Sequence, residues 1–149
     1  TPVRWPGSFG SSYLYFVVPR VILFREEHTP RVFVEKVDFV SAPGTSAEGV
    51  HRRGGPHALL TGLGVFSFDK ERKRFRLESA HPGHTLEEIR AATGFAFDHE
   101  AAVPETADPA PDVLVLLRGR VLGELEETYP EFARQIARDI AQGGMLRTG

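Results

Sequence analysis

The segment 57–77 constrains the fold more than any other part of the sequence. Residues 57–68 are rich in Leu, Val and Phe, and the charged stretch 69–73 follows them. The next four residues, Arg74-Phe75-Arg76-Leu77, alternate polar and apolar side chains. Apolar runs that are bounded by turn residues and show this alternation are typical of β-strands. The segment therefore predicts a β-hairpin within a sheet.

The first half of the chain predicts mainly strands and loops. Residues 20–24 form a short apolar run, which is expected for a strand that is covered on both faces. Residues 31–40 continue in a similar style with charges interspersed. Trp5 to Ser12 mixes Pro, Gly and Ser and predicts a loop before the first strand. Ser41 to Pro56 lacks a hydrophobic period and predicts a long loop, which in a compact domain is usually functional or disordered.

Two capping boxes predict helices in the second half. Thr85 precedes Glu88 by three residues, so its hydroxyl is expected to accept from the Glu88 amide. Gly94 is expected to end that helix. Thr128 and Glu131 form the second box, ahead of apolar residues that recur every fourth position until Gly143-Gly144. These recurring residues are Phe132, Ile136 and Ile140. Strands followed by alternating strands and helices indicate an α/β fold with a mixed sheet.

Composition narrows the functional classes. The chain has 149 residues and is 41% hydrophobic, which fits one domain over 1–149. Its formal charge is -2, so nucleic acid is not expected as a partner. The absence of cysteine fits a reducing cytoplasm and excludes thiolate chemistry. The longest apolar run, residues 13–24, is too short to cross a bilayer, and the beginning does not resemble a signal peptide. Residues 100–111 are acidic and Pro-rich and predict a solvated connector.

Several ordered blocks resemble the beta subunit of type I, glutaconate-type CoA-transferases. The first is Phe33-Val34-Glu35-Lys36-Val37-Asp38-Phe39, followed by Ser41-Ala42-Pro43-Gly44. The second is Gly54-Gly55-Pro56, ahead of Leu63-Gly64-Val65-Phe66-Ser67-Phe68-Asp69. His81-Pro82-Gly83, Thr85 and Thr93-Gly94-Phe95 complete the match. The resemblance covers about Gly7 to Arg118, and residues 119–149 form a divergent helical tail that is a candidate docking element.

The resemblance implies a three-layer αβα fold and covalent catalysis by a glutamate. In the family that glutamate attacks an acyl-CoA thioester and then carries CoA to a second carboxylic acid. It lies in the first half of the beta chain, so no residue of this chain is assigned a catalytic role. The expected partners are an alpha subunit and the missing N-terminal half of the beta subunit, in an oligomer. Coenzyme A is the expected substrate carrier, and no permanently bound cofactor is expected.

Two segments contain the predicted substrate and CoA-binding residues. The glycine-rich segment, Gly7 to Ser12, corresponds in the family to a loop that lets backbone amides approach an acyl group. By analogy with the family, the long loop from Ser41 to Pro56 borders the CoA entrance. Its paired arginines are suited to CoA phosphates, although adjacent arginines are more often simply solvated. The site residues are Gly7, Ser8, Gly10, Ser11, Ser41, Gly44, Arg52, Arg53, Gly54 and Gly55. We expect the glycine-rich segment and the Gly54-Gly55 turn to face one cleft.

Other chemistries are weakly supported, and two alternative functions stay open. His81 and His84 flank a Pro-Gly turn without accompanying Cys or acidic ligands, so no metal site is predicted. No Gly-x-Ser-x-Gly elbow is present, which disfavours a serine hydrolase. The first alternative function is a related hydrolase that opens rings in CoA-linked steroid fragments. The second is a non-catalytic scaffold module of the same fold.

Overall fold

The chain forms two compact units that divide between Thr106 and Ala107. The computed structural model describes residues 9–141, with the side chain of Phe9 left aside. Each unit is described by itself. The prediction of a single domain over 1–149 with a divergent tail from 119 stays a prediction, although the second compact unit already begins at Ala107.

The first unit is built on a five-stranded mixed sheet. Its strands are β1 Val21–Arg25, β2 Pro56–Thr61, β3 Gly64–Asp69, β4 Arg74–Ala80 and β5 Asp98–His99. They lie in the order β1-β2-β3-β4-β5. The pairs β1–β2 and β4–β5 are parallel, and β3 is antiparallel to both β2 and β4. The predicted hairpin is the β3–β4 pair, and the prediction of an α/β fold with a mixed sheet is confirmed.

The core of this unit lies on one face of the sheet. Helix α2, Leu86–Ala92, places Ile89 against the strands. The buried hydrophobic residues that form this core are Leu59, Phe66, Leu77, Ala80 and Ile89. Thr85 caps α2 as predicted, because its hydroxyl accepts from the Glu88 amide at 3.1 Å. Of the three predicted layers, the described residues show the sheet and the layer that contains α2.

Gly94 follows α2 for a different reason from the predicted one. The helix ends at Ala92 with Thr93 as its C-cap, and Gly94 is not among the described glycines with positive φ. Its amide donates to the Phe33 carbonyl at 2.6 Å, and a Cβ at this position would lie 2.5 Å from the same oxygen. Glycine is needed here because two backbone segments approach closely.

Three predictions for the first forty residues are wrong, wholly or in part. Helix α1 occupies Phe9–Val17, so the predicted loop over 5–12 becomes helical within the described residues. Residues 31–40 contain no strand, because the amides of Val32 and Phe33 donate to the Thr29 carbonyl in a local turn. The predicted strand at 20–24 is present as β1, but it is not covered on both faces, since Phe24 is 75% exposed.

The second unit is helical. It comprises α3 Pro111–Leu116, a π-helical turn Leu117–Val121, α4 Leu122–Thr128 and α5 Pro130–Ala141. The π-helical turn, α4 and α5 together line a shallow cavity of about 190 Å³. The predicted final helix is confirmed, but its capping box is wrong, because Thr128 is the last residue of α4. None of the helices in residues 9–141 is long and apolar enough to span a bilayer.

Candidate functional site

The Gly54-Gly55 turn fastens the end of α1 to the sheet. The Gly54 amide donates to the Phe16 carbonyl at 2.8 Å, and the Gly55 amide donates to the Val18 carbonyl at 3.2 Å. The Gly55 carbonyl accepts from the Val21 amide at 3.0 Å. These bonds satisfy carbonyls at the C-terminal end of a helix, which otherwise lack an intrahelical partner. The two glycine amides therefore position α1 and are already engaged within the chain.

Steric contacts explain why both positions are glycine. A Cβ on Gly54 would lie 2.6 Å from the carbonyl oxygens of Tyr15 and Val18. Gly55 has a φ of +145° and would place a Cβ 3.1 Å from the Gly44 carbonyl oxygen. The first position requires close backbone approach, and the second requires a conformation that L-residues rarely adopt. Both features arise from the packing of the turn.

Arg52 holds the long loop in shape. Its Nε donates to the Gly54 carbonyl at 3.1 Å, its Nη1 to the Ser46 hydroxyl at 3.3 Å and its Nη2 to the Pro43 carbonyl at 2.6 Å. The guanidinium carbon also lies 5.5 Å from the centre of the Phe16 ring, within the range of a cation–π contact. Arg52 thus connects both ends of the loop and α1, which is a positioning role.

Arg53 differs from Arg52 in its surroundings. The two residues are adjacent, but Arg52 is half-buried and Arg53 is exposed. An exposed guanidinium presents up to five donors to an anion and is suited to a phosphate group. Of the two arginines that are predicted to bind CoA phosphates, Arg53 is therefore the one with an exposed side chain.

The structure brings four of the ten predicted site residues together. Gly44 lies against Pro56, because a Cβ on Gly44 would lie 3.0 Å from Pro56 Cγ. Gly44, Arg52, Gly54 and Gly55 therefore form one cluster beside the C-terminal end of α1. Ser41 is half-buried in the same loop and precedes Gly44 by three residues.

The described part of the glycine-rich segment lies at the other end of the same helix. Gly10 and Ser11 are exposed in the first turn of α1, and Gly10 is six residues before Phe16, or about 9 Å along the helix axis. Gly7 and Ser8 lie outside the described residues. That the segment and the Gly54-Gly55 turn face one cleft stays a prediction.

A buried polar network beside the core was not predicted from the sequence. His28 is buried, and its Nδ1 lies 2.9 Å from the Thr61 hydroxyl and its Nε2 lies 2.8 Å from the Thr93 hydroxyl. Thr61 also accepts from the amides of Leu63 and Gly64. Burial lowers the pKa of His28 below its ordinary value, because desolvation disfavours the charged imidazolium. The two hydrogen-bond partners of His28 are 33 and 65 residues away in the sequence. No local sequence pattern therefore predicts them.

The histidines of the His81 to His84 turn are bonded within the chain. His81 Nδ1 lies 3.0 Å from the Thr106 hydroxyl, and its Nε2 lies 3.0 Å from the Thr61 carbonyl. His84 pairs with Glu88 at 3.0 Å, and this contact lowers the pKa of the Glu88 carboxyl. Residues 9–141 contain no cluster of three side chains suited to a metal ion. The network stabilises the end of the sheet where β2 and β4 meet the connector.

Comparison with known proteins identifies the relatives of this arrangement. The chain is 31% identical over 125 residues to the beta subunit of glutaconate CoA-transferase from Acidaminococcus fermentans, a match that covers 79% of this chain and 46% of the relative. The crystal structure of that enzyme matches with a TM-score of 0.63 and 29% identity, over 78% of this chain and 46% of that one. The predicted resemblance to the beta subunits of glutaconate-type CoA-transferases is confirmed over this region. No family model matches the chain.

Other proteins that the chain resembles have other named activities. The cholesterol ring-cleaving hydrolase IpdB of Rhodococcus jostii is 33% identical over 96 residues, which is 62% of this chain and 38% of the relative. The IpdAB crystal structure matches with a TM-score of 0.69, 30% identity, and coverage of 80% of this chain and 50% of that chain. The decarboxylase AibA/AibB matches with a TM-score of 0.62 and 26% identity, over 78% of this chain and 44% of that one.

The matched region has a definite extent. The chain spans about half the length of the first curated relatives that it matches, 46% in both cases. The residues that fasten α1, the long loop and the sheet together belong to the unit that ends at Thr106. This unit contains the mixed sheet that carries the likeness in fold.

Proposed function

We propose that the chain supplies the CoA-side half of a beta subunit in an enzyme that moves CoA between an acyl-CoA thioester and a carboxylic acid. The observation that carries this proposal is the 31% identity to the Acidaminococcus fermentans protein over 79% of the chain. A partner alpha subunit and the other half of the beta subunit complete the active site. The glutamate nucleophile belongs to that other half, and the assembly works in the cytoplasm.

The long loop supports a role in holding CoA rather than in bond chemistry. Arg52 fixes the loop from Pro43 to Gly54 through three hydrogen bonds, and Arg53 is exposed next to it. A rigid loop that presents a guanidinium can bind a phosphate with little loss of entropy on binding. The chain therefore orients CoA as a substrate carrier, while the partner residues attack the thioester. Gly10, Ser11, Ser41 and Gly44 are proposed to border the same entrance.

A CoA-thioester exchange assay tests the proposal. The chain alone should be inactive, and its complex with the partner polypeptides should exchange CoA and form a glutamyl-CoA adduct on another polypeptide, detected by mass spectrometry. An adduct on this chain, or exchange by the chain alone, would contradict the assignment of roles.

Replacement of Arg53 tests the CoA-binding role. In the active complex, Arg53→Ala should raise the KM for the acyl-CoA roughly tenfold or more and change kcat little, because a hydrogen bond to a charged group contributes about 1.5–3 kcal/mol. Arg138→Ala, an exposed arginine on α5, is the matched control. Equal KM values for the two variants would remove Arg53 from the site.

A hydrolase is the second candidate, and the match to IpdAB favours it, with a TM-score of 0.69. In that case water, rather than a carboxylic acid, consumes the CoA-linked substrate. Product analysis of the complex in ¹⁸O-water separates the two reactions, because only hydrolysis incorporates the label at the cleaved bond. A complex that binds CoA thioesters but catalyses neither reaction would support a non-catalytic scaffold.

A further inference from the structure

Strand β1 is apolar on both of its faces, but only one face is covered. Its sequence begins Val21-Ile22-Leu23-Phe24, a pattern that is typical of strands buried on both sides. Leu23 packs against the core. Ile22 and Phe24 point to the opposite face and are 62% and 75% exposed. The sequence is therefore typical of a strand that is covered on this face, but the described residues leave these two side chains exposed.

The apolar surface continues across the neighbouring strands, where its residues are half-buried. Ile22 pairs with Ala58, Phe24 pairs with Leu60, and Leu60 pairs with Val65. Directly paired residues lie on the same face of a sheet. These five residues form a continuous apolar area, which we call the open face. It comprises Ile22, Phe24, Ala58, Leu60 and Val65.

The open face has a polar border on the side of β4. Ser67, which pairs with Ala58, hydrogen-bonds to Glu78. Arg76, which pairs with Ser67, forms an ion pair with Glu100. An apolar centre with a polar rim is the usual organisation of a protein–protein interface. This arrangement marks where a covering layer ends.

The edge of β1 is also available. Within residues 9–141, β1 pairs with β2 alone, so the peptide groups on its other side face away from the sheet. Edge strands that remain in water usually carry charged residues or proline, which discourage pairing with another chain. The first four residues of β1 carry neither, and its one charged residue, Arg25, stands at the end of the strand. The edge is therefore suited to the addition of a strand.

We propose that the open face and the edge of β1 bind the half of the beta subunit that this chain does not span. That half adds a strand along β1 and covers Ile22 and Phe24 with apolar side chains. Coverage argues for this occupant, because the chain corresponds to 46% of the Acidaminococcus fermentans protein and 50% of the matched IpdAB chain. The proposal rests on the proposed function for the identity of the occupant, but the docking itself requires no catalysis.

Thiol protection tests the docking surface, since the chain contains no cysteine. The variants are Phe24→Cys on the open face and Glu71→Cys in the exposed β3–β4 turn. Each is labelled with a thiol reagent, alone and after co-expression with the part of the Acidaminococcus fermentans beta subunit that this chain does not match. Mass spectrometry of each peptide assigns the label to its cysteine.

Protection at position 24 alone is the expected result. Co-expression should slow labelling of the cysteine in Phe24→Cys roughly tenfold or more and leave that in Glu71→Cys unchanged. Equal labelling at position 24 with and without the probe polypeptide overturns the proposal, whether or not the polypeptides co-purify. Protection at both positions also overturns it, because it indicates non-specific association.

A polar substitution provides the second readout. Phe24→Asp should abolish co-purification while the thermal unfolding of the chain alone changes little, because the phenylalanine is already exposed. Retained co-purification would contradict the proposal. Protection at position 24, combined with no CoA exchange after an alpha subunit is also supplied, would leave the docking surface valid and refute the transferase function. Exchange without protection at position 24 would do the reverse.

Discussion

The substitution Gly54→Ala tests whether the Gly54-Gly55 turn is a structural fastening for α1. The added Cβ would lie 2.6 Å from the carbonyl oxygens of Tyr15 and Val18 and 2.7 Å from the Phe16 carbonyl carbon. All three atoms belong to the backbone, so no side chain can rotate away. Helix α1 must move, and the bonds from Gly54 to Phe16 and from Gly55 to Val18 are lost or stretched.

The magnitude follows from those losses. Two hydrogen bonds contribute about 1–3 kcal/mol together, and strain adds to this, so we expect the free energy of unfolding to fall by about 2–4 kcal/mol. Native domains have only about 5–15 kcal/mol in total. Urea titration followed by far-UV circular dichroism measures the change, and hydrogen exchange should show faster exchange in the amides of α1.

Gly10→Ala is the matched control on the same helix. A Cβ on Gly10 would have no atom within 4 Å, and alanine favours a helix over glycine by up to about 1 kcal/mol. This variant should be as stable as the parent or more stable. If Gly54→Ala unfolds within about 0.5 kcal/mol of the parent, a value typical of unstructured surface positions, the fastening role of the turn is refuted.

Two further predictions concern His28 and α2. Because burial lowers the pKa of His28 from its ordinary value of 6.5, the unfolded chain takes up the proton first, and stability should fall as pH drops through 6.5. Arg31 lowers the pKa of Glu27 and His84 lowers the pKa of Glu88, both from an ordinary value of 4.5. Protonation of these two carboxyls therefore affects stability below that pH. Urea unfolding should therefore show that the free energy of unfolding falls between pH 7.5 and 5. His28→Asn should reduce this fall, and His57→Asn, at an exposed position, should retain it. The same dependence of stability on pH in both variants would contradict the role of His28. Thr85→Ala should cost about 1 kcal/mol of unfolding free energy by removal of the cap on Glu88, while Thr85→Ser retains most of it; equal losses in the two variants would count against the capping bond.

Local patterns were sufficient where the deciding contacts are close in sequence. The β3–β4 hairpin follows from alternation and from a turn in which Asp69 accepts from the amides of Glu71 and Arg72. The capping box at Thr85 depends on a residue three positions away. The family resemblance rests on ordered blocks that include the Gly54-Gly55-Pro56 turn, and the likeness to the glutaconate CoA-transferase beta subunit confirms it.

Local patterns failed where distant residues decide the conformation. Residues 9–17 contain Gly, two Ser and several aromatic residues, a weak composition for a helix, and the helix carbonyls are satisfied by Gly54 and Gly55. Residues 31–40 resemble a strand, but the Phe33 carbonyl bonds to Gly94 instead of to a neighbouring strand. The different surroundings of Arg52 and Arg53 also depend on the folded loop.

The sequence by itself determined strand β1, the β3–β4 hairpin with its turn, the N-terminal cap of α2, and the family resemblance. Each of these depends on side-chain periodicity or on hydrogen bonds that span a few residues. Only the tertiary structure decided that Arg52 clamps the loop, that His28 lies between Thr61 and Thr93, and that Ile22 and Phe24 are open. These outcomes depend on which distant segments pack together, because burial and bonding partners are set by the folded chain as a whole.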